Sequence, residues 1–214
     1  VGRSRDAGGG VGACRRRLLS KPPFTRRELE DRLDDMLFTV LSTRRTAAAI
    51  AAGLAPLTRA QQEFALHWAQ VAAQKVAPGG KVIAVDLLEI APISGVTVLR
   101  GDCREPVIQA QLVEALGGAK ADVVLSDLSP NISGIASADQ ARAAELVQMA
   151  MDFCRERLQR DGAFLVKVFQ GGEFAGLLKE LKGMFREVRT LKPAASREES
   201  RETYLLARGL KGIQ

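Results

Sequence analysis

Short β-rich runs alternate with helix-length segments from about residue 64 to residue 207, and this alternation is the strongest constraint on the fold. The predicted strands are Lys81–Asp86, Val96–Leu99, Asp122–Ser126, Gly162–Phe169, Val188–Lys192 and Thr203–Ala207, and the predicted helices are Phe64–Val76, Pro106–Leu116, Ala138–Gln159 and Phe174–Phe185. Strands and helices of these lengths in alternation predict an open α/β sheet of mostly parallel strands. Because no helix separates the last two strands, we expect the final strand to be antiparallel.

The first 66 residues differ from the rest of the chain in composition and in periodicity. They contain eleven arginines and one lysine, Lys21, together with alanine runs and a cluster of glycines. Thr25–Val40 has the capping residue and the apolar spacing of a helix, and Ala47–Leu54 is compatible with a helix. We expect no strong strand before residue 80. The predicted organisation is an atypical Arg- and Ala-rich arm, residues 1–66, followed by one domain, residues 67–214.

Composition limits the classes of protein that fit this chain. Its 214 residues are 46% hydrophobic and 26% charged, which excludes a wholly disordered chain. A net charge of +6 favours a polyanionic partner. No apolar run reaches the roughly 18 residues of a membrane span, so no membrane partner is expected. The widely spaced Cys14, Cys103 and Cys154 match neither a metal site nor a disulfide framework, so we expect a cytoplasmic protein without a metal.

Charged residues stand where four of the predicted strands end. They are Asp86, Asp102, Asp127 and Lys167. Ligands of open α/β sheets bind at the carboxyl ends of the strands. A carboxylate there can accept hydrogen bonds from ribose hydroxyls or from an adenine amino group, and it can face a cation. For each aspartate the alternative remains open that it only caps the following helix.

Lys167 interrupts the apolar run FLVKVF. Burial disfavours the charged form of a lysine, so an amine in this position can act as a base. The alternative is a lysine on an edge strand with its tip in water. Glu202 directly precedes the final predicted strand, which contains Tyr204, and on its own it would be interpreted as a surface charge.

Together these residues lie in segments that resemble the FtsJ-type ribosomal RNA 2′-O-methyltransferases. The matching segments are KVIAVDLL, RGDCRE, ADVVLSDLSPNISG, FLVKVFQGGEF and LKPAASREESRETYLLA. The spacings fit the family pattern without a gap: 16 residues from Asp86 to Asp102, 25 to Asp127, 40 to Lys167 and 35 to Glu202. The resemblance covers about residues 68 to 212, two thirds of the chain.

The resemblance implies a Rossmann-like fold that binds S-adenosylmethionine and an enzyme that methylates the ribose 2′-hydroxyl of a uridine in large-subunit (23S) ribosomal RNA. The implied partner is that RNA or the 50S particle. The implied catalytic residues are Lys167, Asp127 and Glu202, three members of the family's Lys-Asp-Lys-Glu set. The implied cofactor-binding residues are Trp68, Asp86, Asp102 and Asp127, with Asp86 on the cofactor ribose and Asp102 on the adenine side.

An RNA substrate also needs cations that contact its phosphates. The candidates for a basic rim are Lys179, Lys182, Arg186, Arg189, Lys192, Arg197 and Arg201. The alternative, that about half of them are only solvated charges on a helix, stays open.

The first third of the chain departs from the family pattern. The family's first motif is similar to DLGxAPGGW, whereas no glycine stands in the four residues before Trp68, and GLAP at Gly53–Pro56 lies eleven residues further upstream. The position of the family's first lysine corresponds to Leu41. A shifted reading frame over residues 1–66 and a diverged, disordered arm both explain this departure. It also leaves open an RNA-binding α/β domain with a decayed cofactor site and no activity, or a methyltransferase for tRNA or a cap.

Overall fold

A computed structural model describes residues 47–50, 69–76, 79–87, 89–130, 133–191 and 202–212. A helical segment at residues 69–75 lies between the first two strands. The strands are β1 (Ala47–Ile50), β2 (Val82–Asp86), β3 (Val96–Arg100), β4 (Ala121–Ser126), β5 (Leu158–Phe169), β6 (Phe185–Leu191) and β7 (Glu202–Leu210). The further helices are α1 (Pro106–Leu116), α2 (Ala136–Arg157) and α3 (Phe174–Met184). Within these ranges no helix combines the length and the apolar character that crossing a bilayer requires.

The seven strands form one sheet in the order β3-β2-β1-β4-β5-β7-β6. The pairs from β3 to β5 are all parallel, and β7 runs antiparallel to both β5 and β6. The prediction of a mostly parallel sheet with an antiparallel final strand is confirmed. The antiparallel strand does not form the edge, because β7 inserts between β5 and β6 and leaves β6 outermost.

The expectation of no strand before residue 80 is wrong. Ala47–Ile50 forms β1, which pairs in parallel with β2 on one side and with β4 on the other. An alanine run favours helix by intrinsic propensity, but strand formation depends mainly on the neighbours that a strand packs against. Here two apolar strands flank the run. The predicted helix Thr25–Val40 lies outside the described residues.

The helices and the sheet enclose two apolar cores, one on each face of the sheet. The larger core lies between the sheet and helices α1, α2 and α3, and its fully buried members include Phe164 and Phe185, whose rings stack with centroids 6.2 Å apart. The smaller core lies on the opposite face, where Val71 and Ala72 of the helical segment pack with residues of β2, β4, β5 and β7. Both faces of β5 are therefore covered, which explains its nearly continuous apolar sequence.

The helix and strand boundaries agree closely with the alternation in the sequence. The prediction Pro106–Leu116 matches α1, which has a proline in its first turn and ends at Gly117 in the left-handed conformation (φ 65°). The largest difference is at the junction of α2 and β5, where the helix ends at Arg157 and the strand begins at Leu158. Leu158 is completely buried and pairs with Ala121 of β4, so it belongs to the sheet.

Candidate active site

The carboxyl ends of β2, β3, β4 and β5 meet at one edge of the sheet, here called the catalytic edge. Chain connectivity reverses direction between β1 and β4, and ligands of such sheets bind in the crevice at this switch point. Asp127 directly follows β4 at the crevice. Because β7 is antiparallel, its first residues reach the same edge, with Tyr204 opposite Lys167 and Glu202 opposite Phe169.

Lys167 and Asp127 form a buried ion pair at the catalytic edge. The Lys167 Nζ lies 3.0 Å from Oδ1 of Asp127, and the two side chains are only 9% and 11% exposed. The same Nζ lies 3.4 Å from the backbone oxygen of Asp127. The parallel register of Ser126 with Val166 sets this contact, because it brings the next residue of each strand side by side. The structure thus joins two of the three predicted catalytic residues.

Tyr204 is a member of this site that sequence reasoning missed. Its hydroxyl donates a hydrogen bond to Oδ1 of Asp127 at 3.2 Å, the same oxygen that faces Lys167. Burial raises the pKa of Tyr204 well above its usual value, and the charges of Asp127 and Glu202 add to the shift. The phenol therefore stays protonated as a donor. The tyrosine of the SRETY segment was visible in the sequence, but its contact with Asp127 depends on the β5–β7 register.

Glu202 lies on the same face of the sheet as Lys167. It pairs with Phe169, two residues beyond Lys167, and side chains two apart along a strand share a face. Its side chain is exposed at the rim, whereas Lys167 is buried. The effect of Glu202 on the pKa of Tyr204 shows that its charge acts within the site. Glu202 therefore lies in the outer part of the site.

The ends of β2 and β3 form the second half of the catalytic edge. Asp86 ends β2 and is 2% exposed, and its backbone oxygen accepts a hydrogen bond from the N–H of Gly101 at 2.8 Å. A Cβ at Gly101 would overlap the side chain of Ile108, so only glycine fits the turn that leads to Asp102. This close packing fixes the position of Asp102 beside the end of β2.

Arg104 is a partner of Asp102 that the sequence did not predict. The guanidinium contacts both carboxylate oxygens, with Nε 3.0 Å from each, and the backbone N–H of Arg104 donates to Oδ1 at 2.9 Å. These hydrogen bonds hold the pKa of Asp102 below its usual value. Asp102 is therefore ionised and acts as an acceptor.

Cys103 lies between the two acidic groups and is 6% exposed. Burial, together with the charges of Asp102 and Asp86, raises the pKa of the Cys103 thiol to about 12. The side chain is therefore a neutral, apolar neighbour of the carboxylates at ordinary pH.

The loop after β4 is tied to the start of α2. The carboxylate of Asp139 accepts hydrogen bonds from the backbone N–H and the hydroxyl of Ser133, each at 2.8 Å, and from the N–H of Gly134 at 3.1 Å. Arg142 donates to the same carboxylate at 2.5 Å. These bonds hold the pKa of Asp139 down to about 2. They restrain the loop that begins at Asp127.

Several predicted residues lie outside the described part of the chain. They are Trp68, Leu41, Gly53–Pro56, Lys192, Arg197 and Arg201. Among the residues that are described, no group of three or more His, Cys, Asp or Glu side chains is arranged to hold a metal ion.

The catalytic edge has the chemistry that S-adenosylmethionine needs. Asp86, Asp102 and Asp127 follow three strands of one edge, and carboxylates suit the hydroxyl and amino donors of an adenosine and the positive charge of a sulfonium. The Lys167 amine lies beside the last of these carboxylates. The fold and the site together define a Rossmann-like methyltransferase that depends on S-adenosylmethionine.

Comparison with known proteins identifies the family. The sequence model of the FtsJ-like methyltransferases matches residues 67–210. The chain is 50% identical over 145 residues to the ribosomal RNA large subunit methyltransferase E of Chromohalobacter salexigens, a match that covers 68% of this chain and 69% of that protein. It is 47% identical over 144 residues to the protein of the same name from Azoarcus sp., covering 67% and 70%.

A solved structure from Plasmodium falciparum, described as a ribosomal RNA methyltransferase, shares the fold. It superposes with a TM-score of 0.68 at 23% identity, covering 88% of this chain and 99% of that one. The chain belongs to the FtsJ-like methyltransferase family. It is an enzyme of the methyltransferase class, and its cofactor is S-adenosylmethionine.

Proposed function

We propose that this protein transfers a methyl group from S-adenosylmethionine to the ribose 2′-hydroxyl of a uridine in the large-subunit (23S) ribosomal RNA. The observation that carries the proposal is the buried Lys167–Asp127 pair at the switch point of the sheet. The names of the most similar curated proteins, ribosomal RNA large subunit methyltransferase E, support the substrate.

Lys167 deals with the proton of the acceptor. The ribose oxygen forms its new bond to the methyl carbon and loses its proton to the neutral Lys167 amine. Asp127 holds the amine in place through the 3.0 Å contact, and Tyr204 holds Asp127. Glu202, at the exposed rim, faces the acceptor RNA. Alignment of the acceptor oxygen with the methyl group supplies much of the acceleration.

The remaining residues bind the cofactor. When bound, S-adenosylmethionine supplies an electrophilic methyl group on a sulfonium. Asp86 accepts hydrogen bonds from the hydroxyls of its ribose, and Asp102 lies on the adenine side. Trp68 belongs to the loop that precedes the helical segment at residues 69–75.

The acceptor and the compartment follow from the same chemistry. Only RNA offers a ribose 2′-hydroxyl, so the site distinguishes RNA from DNA by its reacting group. The substrate is the large-subunit RNA or the 50S particle that contains it. Cys103 and Cys154 are buried free thiols, as is usual in the reducing cytoplasm where we place the reaction.

The test is methyl transfer from labelled cofactor to 23S ribosomal RNA. A 2′-O-methyl group protects the adjacent phosphodiester from alkali, so alkaline hydrolysis maps the modified uridine. We expect Lys167→Ala to abolish transfer and to leave cofactor binding, measured by calorimetry, within about threefold, a small energy on the affinity scale. The exposed Lys120→Ala is the matched control and retains full activity. Retained turnover in Lys167→Ala would exclude the role given to this amine.

A second candidate function is an RNA-binding domain that no longer binds the cofactor. The family match begins at residue 67, so the segment between β1 and the helical segment lies outside it. Calorimetry with S-adenosylmethionine on the wild-type protein separates the two functions. Measurable binding favours the methyltransferase, and its absence favours the RNA-binding domain.

A further inference from the structure

Five cations gather at the end of the sheet opposite the catalytic edge. This end is formed by residues 158–162, 182–187 and 208–212, which contain five basic and two acidic residues. The five cations, here called the distal basic patch, are Arg160, Lys182, Arg186, Arg208 and Lys211. The two carboxylates are Asp161 and Glu187.

Strand register and direct contacts bring these residues together. Arg208 lies opposite Ala163 of β5 on one side and opposite Glu187 of β6 on the other. The Nζ of Lys211 donates to the backbone oxygen of Lys182 at 2.8 Å, and the backbone N–H of Lys211 donates to Met184 at 2.8 Å. The patch is therefore one surface built from three strands and the end of α3.

Two of its guanidinium groups lie directly against glycine backbone. Gly209 has φ 69°, and a Cβ built on it would lie 2.5 Å from Nε of Arg186; a Cβ at Gly212 would overlap the guanidinium of Arg160. Arg186 also contacts Asp161. Guanidinium groups held in this way lose less freedom when they bind a phosphate than freely moving side chains do.

Ordinary surface electrostatics explains only part of the patch. Lys182 lies in the last turn of α3, where a cation complements the helix dipole. Glu187 forms an ion pair with Arg189, so its charge is shared with a cation outside the patch. The surplus of positive charge at this end of the sheet remains.

The distal basic patch lies far from the reacting groups. Asp161 and Lys167 are six residues apart along β5, which is roughly 20 Å at about 3.3 Å per residue. The outermost strand β6 runs from the patch to the catalytic edge, where Leu191 pairs with Tyr204, and it exposes Arg189 on the way. Cations of the predicted rim thus follow β6 away from the active site.

We infer that the distal basic patch binds the phosphate backbone of the same RNA whose ribose reaches Lys167. The inference rests on the proposed function for the identity of the RNA. Two contacts roughly 20 Å apart require a long or folded RNA, which explains why a large-subunit RNA would be preferred to a short oligonucleotide.

The experiment measures binding of full-length 23S ribosomal RNA as a function of salt. Each lost phosphate contact lowers the slope of log K against log salt by roughly 0.7–0.9. We expect Arg160→Gln and Lys182→Gln each to lower the slope by that amount, and the double variant by about 1.5, which weakens binding at least tenfold near 0.1 M salt. In methyl transfer the KM for RNA rises equally and kcat stays unchanged.

Lys81→Gln is the matched control. Lys81 precedes β2 at the same end of the sheet, four strand positions and roughly 19 Å from β7 at about 4.8 Å per strand. It removes the same charge, and its salt slope stays that of the wild type. Thermal unfolding checks each variant, and if the double variant unfolds early, the exposed Lys182→Gln alone carries the test.

The outcomes separate this inference from the proposed function. Slopes that fall in the patch variants and stay constant in Lys81→Gln support the patch. Unchanged slopes in the patch variants overturn it, even where methyl transfer is normal. Weakening seen only with whole large subunits and not with naked RNA overturns it in favour of a ribosomal protein partner. Failure of methyl transfer in the wild type contradicts the proposed function and leaves the binding measurement valid.

Discussion

Replacing Asp127 with asparagine tests the electrostatics of the site independently of its chemistry. Asp127→Asn keeps the size of the side chain and removes the charge that lies 3.0 Å from the Lys167 Nζ. With both side chains about nine-tenths buried, little solvent compensates the ammonium that remains. Removing one partner of such a pair costs about 3–5 kcal/mol of the free energy of unfolding. For a chain of this size that lowers Tm by roughly 6–20 °C.

The assay is a double-mutant cycle measured by denaturant unfolding. Because Lys167→Met removes the charge that Asp127→Asn strands, the double variant is more stable than the sum of the single changes predicts, by a coupling of up to about 3 kcal/mol. Asp152→Asn is the matched control, because Asp152 pairs with Arg155 at the surface and its loss costs at most about 1 kcal/mol. If Asp127→Asn unfolds within about 0.5 kcal/mol of the wild type, the pair is not a buried ion pair and the reasoning fails.

Three further changes test other contacts of the site. Tyr204→Phe removes the hydrogen bond to Asp127 and lowers the free energy of unfolding by about 1.5–3 kcal/mol in denaturant titrations; wild-type stability would show that the contact does not form. Because the pKa of Cys103 is raised to about 12, its neutral thiol stabilises the fold below pH 9 and that contribution is lost as the pH rises toward 12. We therefore expect Cys103→Ala to weaken the alkaline loss of stability, and an identical pH profile would contradict this. Because the pKa of Asp139 is lowered to about 2, its contribution is present above pH 4 and is lost as the pH falls toward 2; acid unfolding of Asp139→Asn should lack this component, and an unchanged acid transition would refute it.

Most of the sheet could be predicted from the sequence because its strands carry two independent signals. The apolar runs of β2, β4 and β5 are typical of strands buried on both faces, and turn residues separate them from amphipathic helices. Strand-end charges then follow from the parallel topology alone. For this reason Asp127 and Lys167 could be assigned to one edge before their distance was known.

β1 could not be predicted because its residues carry no β signal of their own. Alanine has high helix propensity, and four residues are too few to show periodicity. The flanking strands decide its conformation. Its position between β2 and β4 makes Gly53 the first glycine after the strand at the switch point, where a cofactor loop is expected.

The side-chain partners of the site lay beyond sequence reasoning for a different reason. The pairing of Tyr204 with Lys167 depends on the register of two antiparallel strands whose connection spans ten residues. The contact between Arg104 and Asp102 depends on a turn whose geometry glycine sets. Charges and residue types are visible in a sequence, but which pairs meet depends on register and on turns.

The insertion of β7 between β5 and β6 determines when the active site can exist. During synthesis β2 to β6 leave the ribosome before β7, and β6 has no partner in the described sheet except β7. A nascent chain that stops before residue 202 therefore lacks Tyr204 and Glu202 and has a gap where the sixth strand position should be filled. Catalytic competence, and protection of β6 from proteases, should appear together and late, when this last strand slides into place.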